Sequence, residues 1–347
     1  MLFVLLAVVA IWGIGHLLGA PKARRWVMIW LLLGAVLLAH AILPPTNPIP
    51  QLFGGTFAGW ATLAAVLIVI AGYNRGLGAL RARVKPLPQA ETGPFSDTEL
   101  DRYARHIILR EVGGPGQKAL KDARVLVIGA GGLGSPALLY LAAAGVGTIG
   151  VIDDDAVDNS NLQRQVIHRD QDIGKPKAFS AEAAMLAQNP NVEIRPYNRR
   201  LTPENARDLF EDYDLILEGT DNFPTRYLVN ETAVRLGKPV IGAALTQWEG
   251  QLSLWHPASG APCYQCVFPE APAPGLAPSC AEAGVIGPLP GVLGSMMAVE
   301  AVKWITKAGE GLGGRLLIYD ALYADTRIIR VKPRADCPVC GTAEVAP

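Results

Sequence analysis

Four cysteines occur in two pairs with the spacing of a metal-binding knuckle. Cys263 and Cys266 form one C-x-x-C pair, and Cys337 and Cys340 form the other. Two such pairs supply four thiolates, which close a tetrahedral Zn²⁺ site and leave no open coordination position. A thioredoxin-type redox motif is the alternative, but that motif normally occurs once, near the start of a βαβ unit. We therefore expect a structural zinc site that holds the C-terminal segment against its domain.

A glycine-rich turn predicts contacts with phosphate groups. The sequence GAGGLG places Gly129, Gly131 and Gly134 in the positions of a G-x-G-x-x-G motif, with an additional Gly132. Glycine is needed in such a turn because the chain bends tightly and brings backbone N–H groups close to phosphate oxygens at the start of a helix. The motif alone fits NAD and ATP equally well.

The residues around this turn have the pattern of a βαβ unit. Residues 125–128 are a short apolar run, residues 135–144 have a helical pattern that Gly145 closes, and residues 148–152 predict the next strand. Asp153 follows that strand, where a carboxylate accepts hydrogen bonds from ribose hydroxyls. The fold class is therefore α/β, with a Rossmann-like, doubly wound sheet.

Two cations and a carboxylate favour nucleotidyl transfer over hydride transfer. Arg164 and Lys177 follow the second predicted strand, and cations are needed where pyrophosphate leaves. Asp221 and Asn222 come just after the apolar strand at 214–217, at the carboxyl edge of the sheet where ligands bind. A carboxylate in that position can hold Mg²⁺ on a triphosphate.

The first 90 residues differ in charge and hydropathy from the rest. They contain seven basic residues and no acidic one, so the remainder is mildly acidic. An acidic domain disfavours nucleic acid as a partner, because phosphate backbones are bound by clustered Lys and Arg. Apolar stretches at 1–20, 26–43 and 52–73 each approach the roughly 20 residues that cross a bilayer. We expect three transmembrane helices in residues 1–73.

The basic residues also predict an orientation, because positively charged loops stay in the cytoplasm. PKARR follows the first stretch and Arg75 follows the third, whereas the loop between the second and third carries no charge. This pattern predicts a multi-pass protein of the inner membrane with its catalytic domain in the cytoplasm. Residues 74–95 are predicted to be a linker and residues 96–347 the catalytic domain. Ser96 and Glu99 predict a capping box for a helix that ends near Gly113.

The ordered motifs of the domain carry a resemblance. RYARHIILRE, GAGGLGSPALLYLAAAGVGTIGVIDDD, SNLQRQ, GKPKA, TDN, PCYQC, SCAEAGVIGP and CPVCG follow one another as in the MoeB/ThiF family of adenylating enzymes, which also resembles the adenylation half of ubiquitin-activating enzymes. The resemblance covers about residues 100–341. It implies that ATP adenylates the C-terminal glycine of a small ubiquitin-like sulfur-carrier protein, of the molybdopterin-synthase type, and releases pyrophosphate in molybdenum cofactor biosynthesis.

The resemblance also implies roles for individual residues. Arg105 matches an arginine that the partner subunit of a homodimer supplies to the site. The implied ATP-binding residues are Gly132 on the phosphates, Asp153 on the ribose, Asn161, Arg164 and Lys177 on the triphosphate, Asp221 on Mg²⁺, and their neighbours Ser160, Leu162, Gln163 and Asn222.

Cys280 is the fifth cysteine, in SCAEAGVIGP. In some relatives a cysteine at this position forms a thioester or persulfide with the carrier, and in others it is dispensable. Its neighbours in the sequence, Ala281 and Glu282, are not cations, so they would not activate a thiol. Both roles stay open.

Four other functions are compatible with parts of the pattern. The sulfur carrier of the thiamine pathway is the nearest rival substrate, and a tRNA-modifying relative of the same fold is more distant because it would not need the two cysteine knuckles. A membrane-bound NAD-linked oxidoreductase and a non-catalytic membrane scaffold belong to other classes. Arg164, Lys177 and Asp221 together disfavour both of these.

Overall fold

The chain forms two compact units. The structure, a computed structural model, describes residues 2–83, 93–273 and 280–341. The units are Met1–Glu91 and Thr92–Pro347. Each has a hydrophobic core of its own.

The first unit is helical. A small group of apolar side chains, among them Leu33, Val36 and Trp60, is buried between its helices. Most of its other large apolar side chains are exposed. The helices are α1 (Leu2–Leu17), α2 (Lys22–Ile42), α3 (Pro48–Phe53) and α4 (Phe57–Arg83).

Two of these helices, rather than the three expected, are long and apolar enough to cross a membrane. The qualifying segments are Lys22–Ile42 and Phe57–Gly78. Helix α1 has 16 residues, which at about 1.5 Å per residue falls short of a hydrocarbon core about 30 Å thick. The prediction of three spanning helices was therefore wrong in its count.

The third apolar stretch, predicted at 52–73, is also shifted. Gly54 and Gly55 both have positive φ, at 66° and 81°, and they separate α3 from α4. Helix α4 then continues to Arg83, through the first part of the predicted linker. Isolated glycines cost a helix only about 1 kcal/mol each, so the glycines of that segment do not end it.

The second unit is an α/β unit. Its helices are α5 (Asp97–Ile107), α6 (Gly113–Asp122), α7 (Gly134–Ala144), α8 (Lys177–Gln188), α9 (Pro203–Glu211), α10 (Phe223–Arg235), α11 (Tyr264–Val267), α12 (Cys280–Ala283) and α13 (Pro288–Thr306). Its strands are β1 (Arg124–Ile128), β2 (Thr148–Ile152), β3 (Glu193–Tyr197), β4 (Leu215–Glu218), β5 (Val240–Leu245), β6 (Glu249–Trp255), β7 (Arg315–Asp320) and β8 (Asp325–Arg330).

The eight strands form one mixed sheet in the order β3-β2-β1-β4-β5-β6-β7-β8. The strands from β3 to β5 are parallel, and β6, β7 and β8 extend the sheet by antiparallel pairing. The α/β class agrees with the prediction, but the antiparallel extension was not predicted. Short turns connect β5 to β6 and β7 to β8, because antiparallel neighbours need no helical crossover.

The elements around the glycine-rich turn lie within one residue of their predicted bounds. Strands β1 and β2 are almost fully buried, as expected for parallel strands that helices cover on both faces. Helix α7 ends at Gly145, whose φ of 80° forms the left-handed cap. This βαβ unit positions the candidate site.

The capping box before α5 is present, but the helix is shorter than predicted. The Ser96 backbone N–H donates to Glu99 Oε2 at 2.9 Å, and the Glu99 N–H donates to Ser96 Oγ at 3.3 Å. Helix α5 ends at Ile107 instead of near Gly113. Gly113, with φ of 58°, instead begins α6, so two short helices replace one long helix.

Candidate active site and metal centre

The turn between β1 and α7 leaves two backbone donors without partners among the described residues. Gly129 has a φ of 93°, and a Cβ on Gly134 would lie 1.9 Å from the Gly129 carbonyl oxygen. Both positions therefore require glycine. No described residue accepts a hydrogen bond from the N–H of Gly131 or Gly132. These donors lie just before α7, where the helix dipole favours an anion.

Asp153, at the end of β2, supports this turn. Its Oδ2 accepts from the Ala130 N–H at 2.8 Å, and its Oδ1 accepts from the Asp155 N–H at 2.9 Å. Burial raises the pKa of Asp153, while the positive charge of Lys177 opposes that rise. Each carboxylate oxygen keeps a second lone pair, so a ribose hydroxyl can still donate to it.

Lys177 and Arg164 bring positive charge to the same region. Lys177 begins α8, its side chain is 5% exposed, and its Nζ lies 2.7 Å from Asp155 Oδ2. Arg164 is half-buried, and its guanidinium donates to the Ser160 carbonyl oxygen at 3.1 Å and to Asn161 Oδ1 at 3.4 Å. The two cations can neutralise phosphate charge.

The turn after β4 carries the predicted magnesium ligand. Asp221 is exposed and makes no hydrogen bond to a described residue. Asn222 caps α10, since its Oδ1 accepts from the Thr225 N–H at 2.9 Å. Beneath them, the Glu218 carboxylate accepts hydrogen bonds from the Thr220 N–H and hydroxyl. Burial raises the pKa of Glu218, and Arg226 acts against that rise.

A cavity of about 790 Å³ joins these groups at the carboxyl edge of the sheet, where β1 and β4 are neighbours. In open α/β sheets, ligands bind at such a switch in strand order. Seven predicted site residues line the cavity, namely Gly132, Asp153, Asn161, Arg164, Lys177, Asp221 and Asn222.

Four predicted residues are not part of this lining. Ser160 and Leu162 belong to the turn beside Asn161, where Ser160 bonds to Asp158. Gln163 is exposed and packs against Gly287 at the start of α13. Arg105 is exposed on α5. These four residues therefore do not line the cavity of this chain, although the Ser160 carbonyl oxygen accepts from Arg164, which does.

Three arginines of the lining were not predicted from the sequence. Arg199 and Arg200 follow β3 and are exposed at the cavity. Arg226, on α10, is almost fully buried, and its Nε lies 3.8 Å from Glu218 Oε2. The position of Arg199 and Arg200 after a parallel strand was an available signal, because all such ends meet at one sheet edge.

The four paired cysteines come together as predicted. Their sulfur atoms all lie within 4.8 Å of one another. The Sγ–Sγ distances are 3.8 Å for Cys263 and Cys266, 3.6 Å for Cys263 and Cys337, and 3.3 Å for Cys266 and Cys340. Sulfurs at about 2.3 Å from a tetrahedral Zn²⁺ are about 3.8 Å apart, so the cluster fits that ion.

The surroundings of the cluster suit a closed structural site. Cys263, Cys266 and Cys337 are buried. Burial raises the pKa of the Cys337 thiol, but hydrogen bonds from the backbone N–H groups of Cys340 and Val339 stabilise its thiolate. The pKa of Cys337 is therefore lowered to about 7. Cys280 begins α12, but its side chain lies outside the described residues, so both the covalent and the dispensable role stay open.

Comparisons with known proteins show what this chain is similar to. A family model described as the ThiF family matches residues 103–339. Sulfur carrier protein adenylyltransferase of Thermus thermophilus is 52% identical over 251 residues, which cover 71% of this chain and 93% of that protein.

A second relative is longer than the chain. Probable adenylyltransferase/sulfurtransferase MoeZ of Mycobacterium tuberculosis is 54% identical over 247 residues, which cover 70% of this chain but 63% of MoeZ. Among solved structures, E. coli MccB with ATP superposes with a TM-score of 0.62 at 22% identity, over 74% of this chain and 77% of MccB. At that identity the similarity concerns the fold alone.

Proposed function

The chain belongs to the ThiF family, and on that premise we propose that it uses ATP to adenylate the C-terminal glycine of a small ubiquitin-like sulfur-carrier protein. The observation that carries the proposal is the single cavity that joins the glycine-rich turn, Arg164, Lys177 and Asp221. The names of the two relatives support this class of substrate.

In the proposed reaction, a carboxylate oxygen of the carrier attacks the α-phosphorus of ATP. A C(O)O–P bond forms, the bond to the bridging oxygen breaks, and pyrophosphate leaves with the electron pair. The N–H groups of Gly131 and Gly132 hold phosphate oxygens at the start of α7, and Arg164 and Lys177 neutralise the charge that develops on pyrophosphate.

Asp221 fits the role of a magnesium ligand, because its carboxylate is exposed to the cavity and is not engaged by a described residue. Carboxylates are hard oxygen ligands that Mg²⁺ prefers beside substrate phosphates. When bound, the ion would offset the negative charge of the triphosphate. The cluster of Cys263, Cys266, Cys337 and Cys340 would hold Zn²⁺ as a structural ion, because four thiolates leave no coordination position open.

Exchange of labelled pyrophosphate into ATP tests the proposal. We expect exchange by the full chain only when a carrier with its terminal glycine is added, and none with the same carrier lacking that glycine. Carriers of the molybdopterin-synthase and thiamine types, added separately, identify the physiological class, for which we propose the molybdopterin-synthase type. Absence of exchange with every intact carrier would contradict the proposal.

We also propose that the catalytic unit functions as a homodimer. Arg105 is exposed on α5 and is absent from the lining of its own cavity, which supports a role in the site of a second copy. Exposed apolar side chains just after α5 and on α7 and α13 support an interface: Ile108, Leu109, Tyr140, Val292 and Val299.

We further propose that the first unit anchors the protein in the inner membrane with the catalytic unit in the cytoplasm. Helices α2 and α4 expose most of their apolar side chains, which disfavours a role as core helices of a soluble protein. The orientation is supported by basic residues at two helix ends, because positively charged segments stay in the cytoplasm. These residues are Lys22, Arg24 and Arg25 at the start of α2 and Arg75 near the end of the apolar segment of α4.

Fractionation of cells tests the anchor. We expect the full chain in the membrane pellet after a high-salt wash and a chain that starts at residue 93 in the supernatant with its exchange activity retained. The unit Thr92–Pro347 contains every described cavity-lining residue of the site. A full chain that salt releases would show peripheral binding instead.

A further inference from the structure

Both backbone polar groups of Ala130, inside the glycine-rich turn, are hydrogen-bonded by side chains. Its N–H donates to Asp153 Oδ2 at 2.8 Å, and its carbonyl oxygen lies 2.9 Å from His168 Nε2. Ala130 itself is fully buried. The peptide groups on either side of Ala130 are therefore fixed in orientation by two side chains from other parts of the chain.

His168 connects this turn to helix α8. Its Nδ1 lies 2.9 Å from Ser180 Oγ, and that hydroxyl lies 3.0 Å from Asp172 Oδ2. His168 is 6% exposed and Ser180 1% exposed, so water does not compete for these bonds. Ser180 is on the same helix as Lys177, one turn further on. The imidazole thus fixes the turn relative to the helix that carries the phosphate-binding cation.

The hydrogen-bond partners determine where the protons lie. A carbonyl oxygen only accepts, so Nε2 of His168 carries the proton that Ala130 receives. Ser180 has a single hydroxyl proton, which it donates either to Nδ1 or to Asp172. With a neutral imidazole, Ser180 donates to Nδ1 and holds the ring in the tautomer that the turn requires.

The next two N–H groups after Ala130 are those left for a ligand. Gly131 and Gly132 line the cavity, and no described residue accepts from their N–H groups. The Gly131 N–H belongs to the same peptide plane as the Ala130 carbonyl oxygen, so its direction depends on the contact of that oxygen with His168. His168 does not line the cavity, so it acts on phosphate only through the backbone.

We propose that His168, held by Ser180, is a positioning residue that orients the phosphate-binding turn by donating to the Ala130 carbonyl. The inference rests on the proposed use of ATP, and it assigns a role to a histidine that the reaction itself does not touch. A lost donor leaves a buried carbonyl unsatisfied and the turn free to rotate.

Three variants of the full chain test the proposal. His168→Phe removes the donor but keeps a buried ring, and His168→Gln keeps an N–H donor of similar reach. His256→Phe is the matched control, because the His256 ring also lies beside a backbone carbonyl, that of Gly237 at 3.2 Å, away from the cavity. Equilibrium binding of ATP and of adenosine is measured for each variant, together with the thermal midpoint and zinc content.

We expect His168→Phe to bind ATP about tenfold more weakly, the size of one hydrogen bond to a buried carbonyl, and to bind adenosine as the unmodified chain does. His168→Gln is expected to restore ATP binding to within about threefold. Adenosine is the informative ligand because it lacks the phosphates that the turn contacts. Equal loss of both ligands would show general damage to the fold and overturn the proposal, as would unchanged ATP binding in His168→Phe.

The proposed function can fail independently of this inference. Pyrophosphate exchange by the unmodified chain tests adenylation, whereas the ATP and adenosine comparison tests the turn without any carrier. A chain that binds ATP through a His168-dependent turn but shows no exchange would retain this inference and lose the proposed reaction. A chain that exchanges pyrophosphate equally well in His168→Phe and binds ATP unchanged would do the reverse.

Discussion

Lys177 and Asp155 form an ion pair of 2.7 Å in which the lysine side chain is 5% exposed and the aspartate side chain 65% exposed. The two partners are therefore not equivalent. The buried cation has few alternative partners, whereas the carboxylate is largely solvated. An ion pair with one solvated partner contributes little to stability, so its value lies in holding Lys177 toward the cavity.

Replacing the two partners therefore has unequal effects. We expect Lys177→Ala to lower kcat/KM for adenylation by about 100-fold or more, because phosphate charge loses a buried partner. Asp155→Asn is expected to change it by about threefold or less, since the amide can still accept from the ammonium group. Steady-state pyrophosphate exchange measures both. Similar losses in the two variants would indicate that the pair, and not the cation, is required.

Replacing Asp221 separates the magnesium site from the zinc site. We expect Asp221→Asn to abolish detectable adenylate formation while the zinc content stays at one ion per chain, because Asp221 lines the cavity and not the cysteine cluster. Asp208→Asn on α9, also an exposed aspartate, is the matched control and should remain active. Retained activity in Asp221→Asn would remove this residue from the metal role.

Complementation between inactive variants tests the homodimer. Arg105→Ala and Lys177→Ala are each expected to be inactive alone, because each site would need Arg105 from one subunit and Lys177 from the other. Mixed dimers contain one intact site, so an equimolar, fully exchanged mixture should recover about a quarter of the normal activity. Recovery of no activity by subunits that do exchange would place Arg105 outside the partner's site.

The stability of the catalytic unit depends on pH through His168. Burial lowers the pKa of His168, with Lys177 acting in the same direction and Asp172 against it. A histidine with a lowered pKa contributes stability above its unfolded pKa of about 6.5 and loses that contribution as the pH falls through the folded value.

The thermal midpoint of the unmodified chain is therefore expected to fall more steeply below pH 6.5 than that of His168→Gln, which cannot titrate. His256, whose pKa is also lowered by burial, contributes in the same direction, so both proteins must retain it. Thermal unfolding measured between pH 5 and pH 8 gives the comparison. Parallel curves would show that the pKa of His168 is not lowered in the folded chain.

The sequence predicted the parts of the fold that local patterns determine. The bounds of β1, β2 and α7 were close, because a continuous apolar run and a glycine cap are strong local signals. The antiparallel strands β6 to β8 were missed, since pairing between β6 and β7 depends on segments far apart in the chain. The count of membrane helices failed because α1 has only 16 residues, and the third segment is shifted because hydropathy alone did not register the break at Gly54 and Gly55.

The candidate site shows the same limit. Arg164, Lys177 and Asp221 belong to recognisable motifs, and the cavity joins them. Arg226 and His168 could not be assigned from the sequence, because their positions depend on burial against Glu218 and Ala130. No residue type or spacing near His168 in the sequence indicates that its side chain contacts the phosphate-binding turn.

The neighbouring positions of β1 and β4 determine when this crevice appears during folding. Arg124, at the start of β1, donates to Asp214 just before β4, and the two residues are separated by 90 positions. Closing so long a segment costs chain entropy before the contacts between β1 and β4 form, so we expect the cavity between these strands to form late in folding. A nucleotide can bind only after that step. A bound nucleotide therefore stabilises the native chain by slowing its unfolding, and it leaves the rate of refolding unchanged.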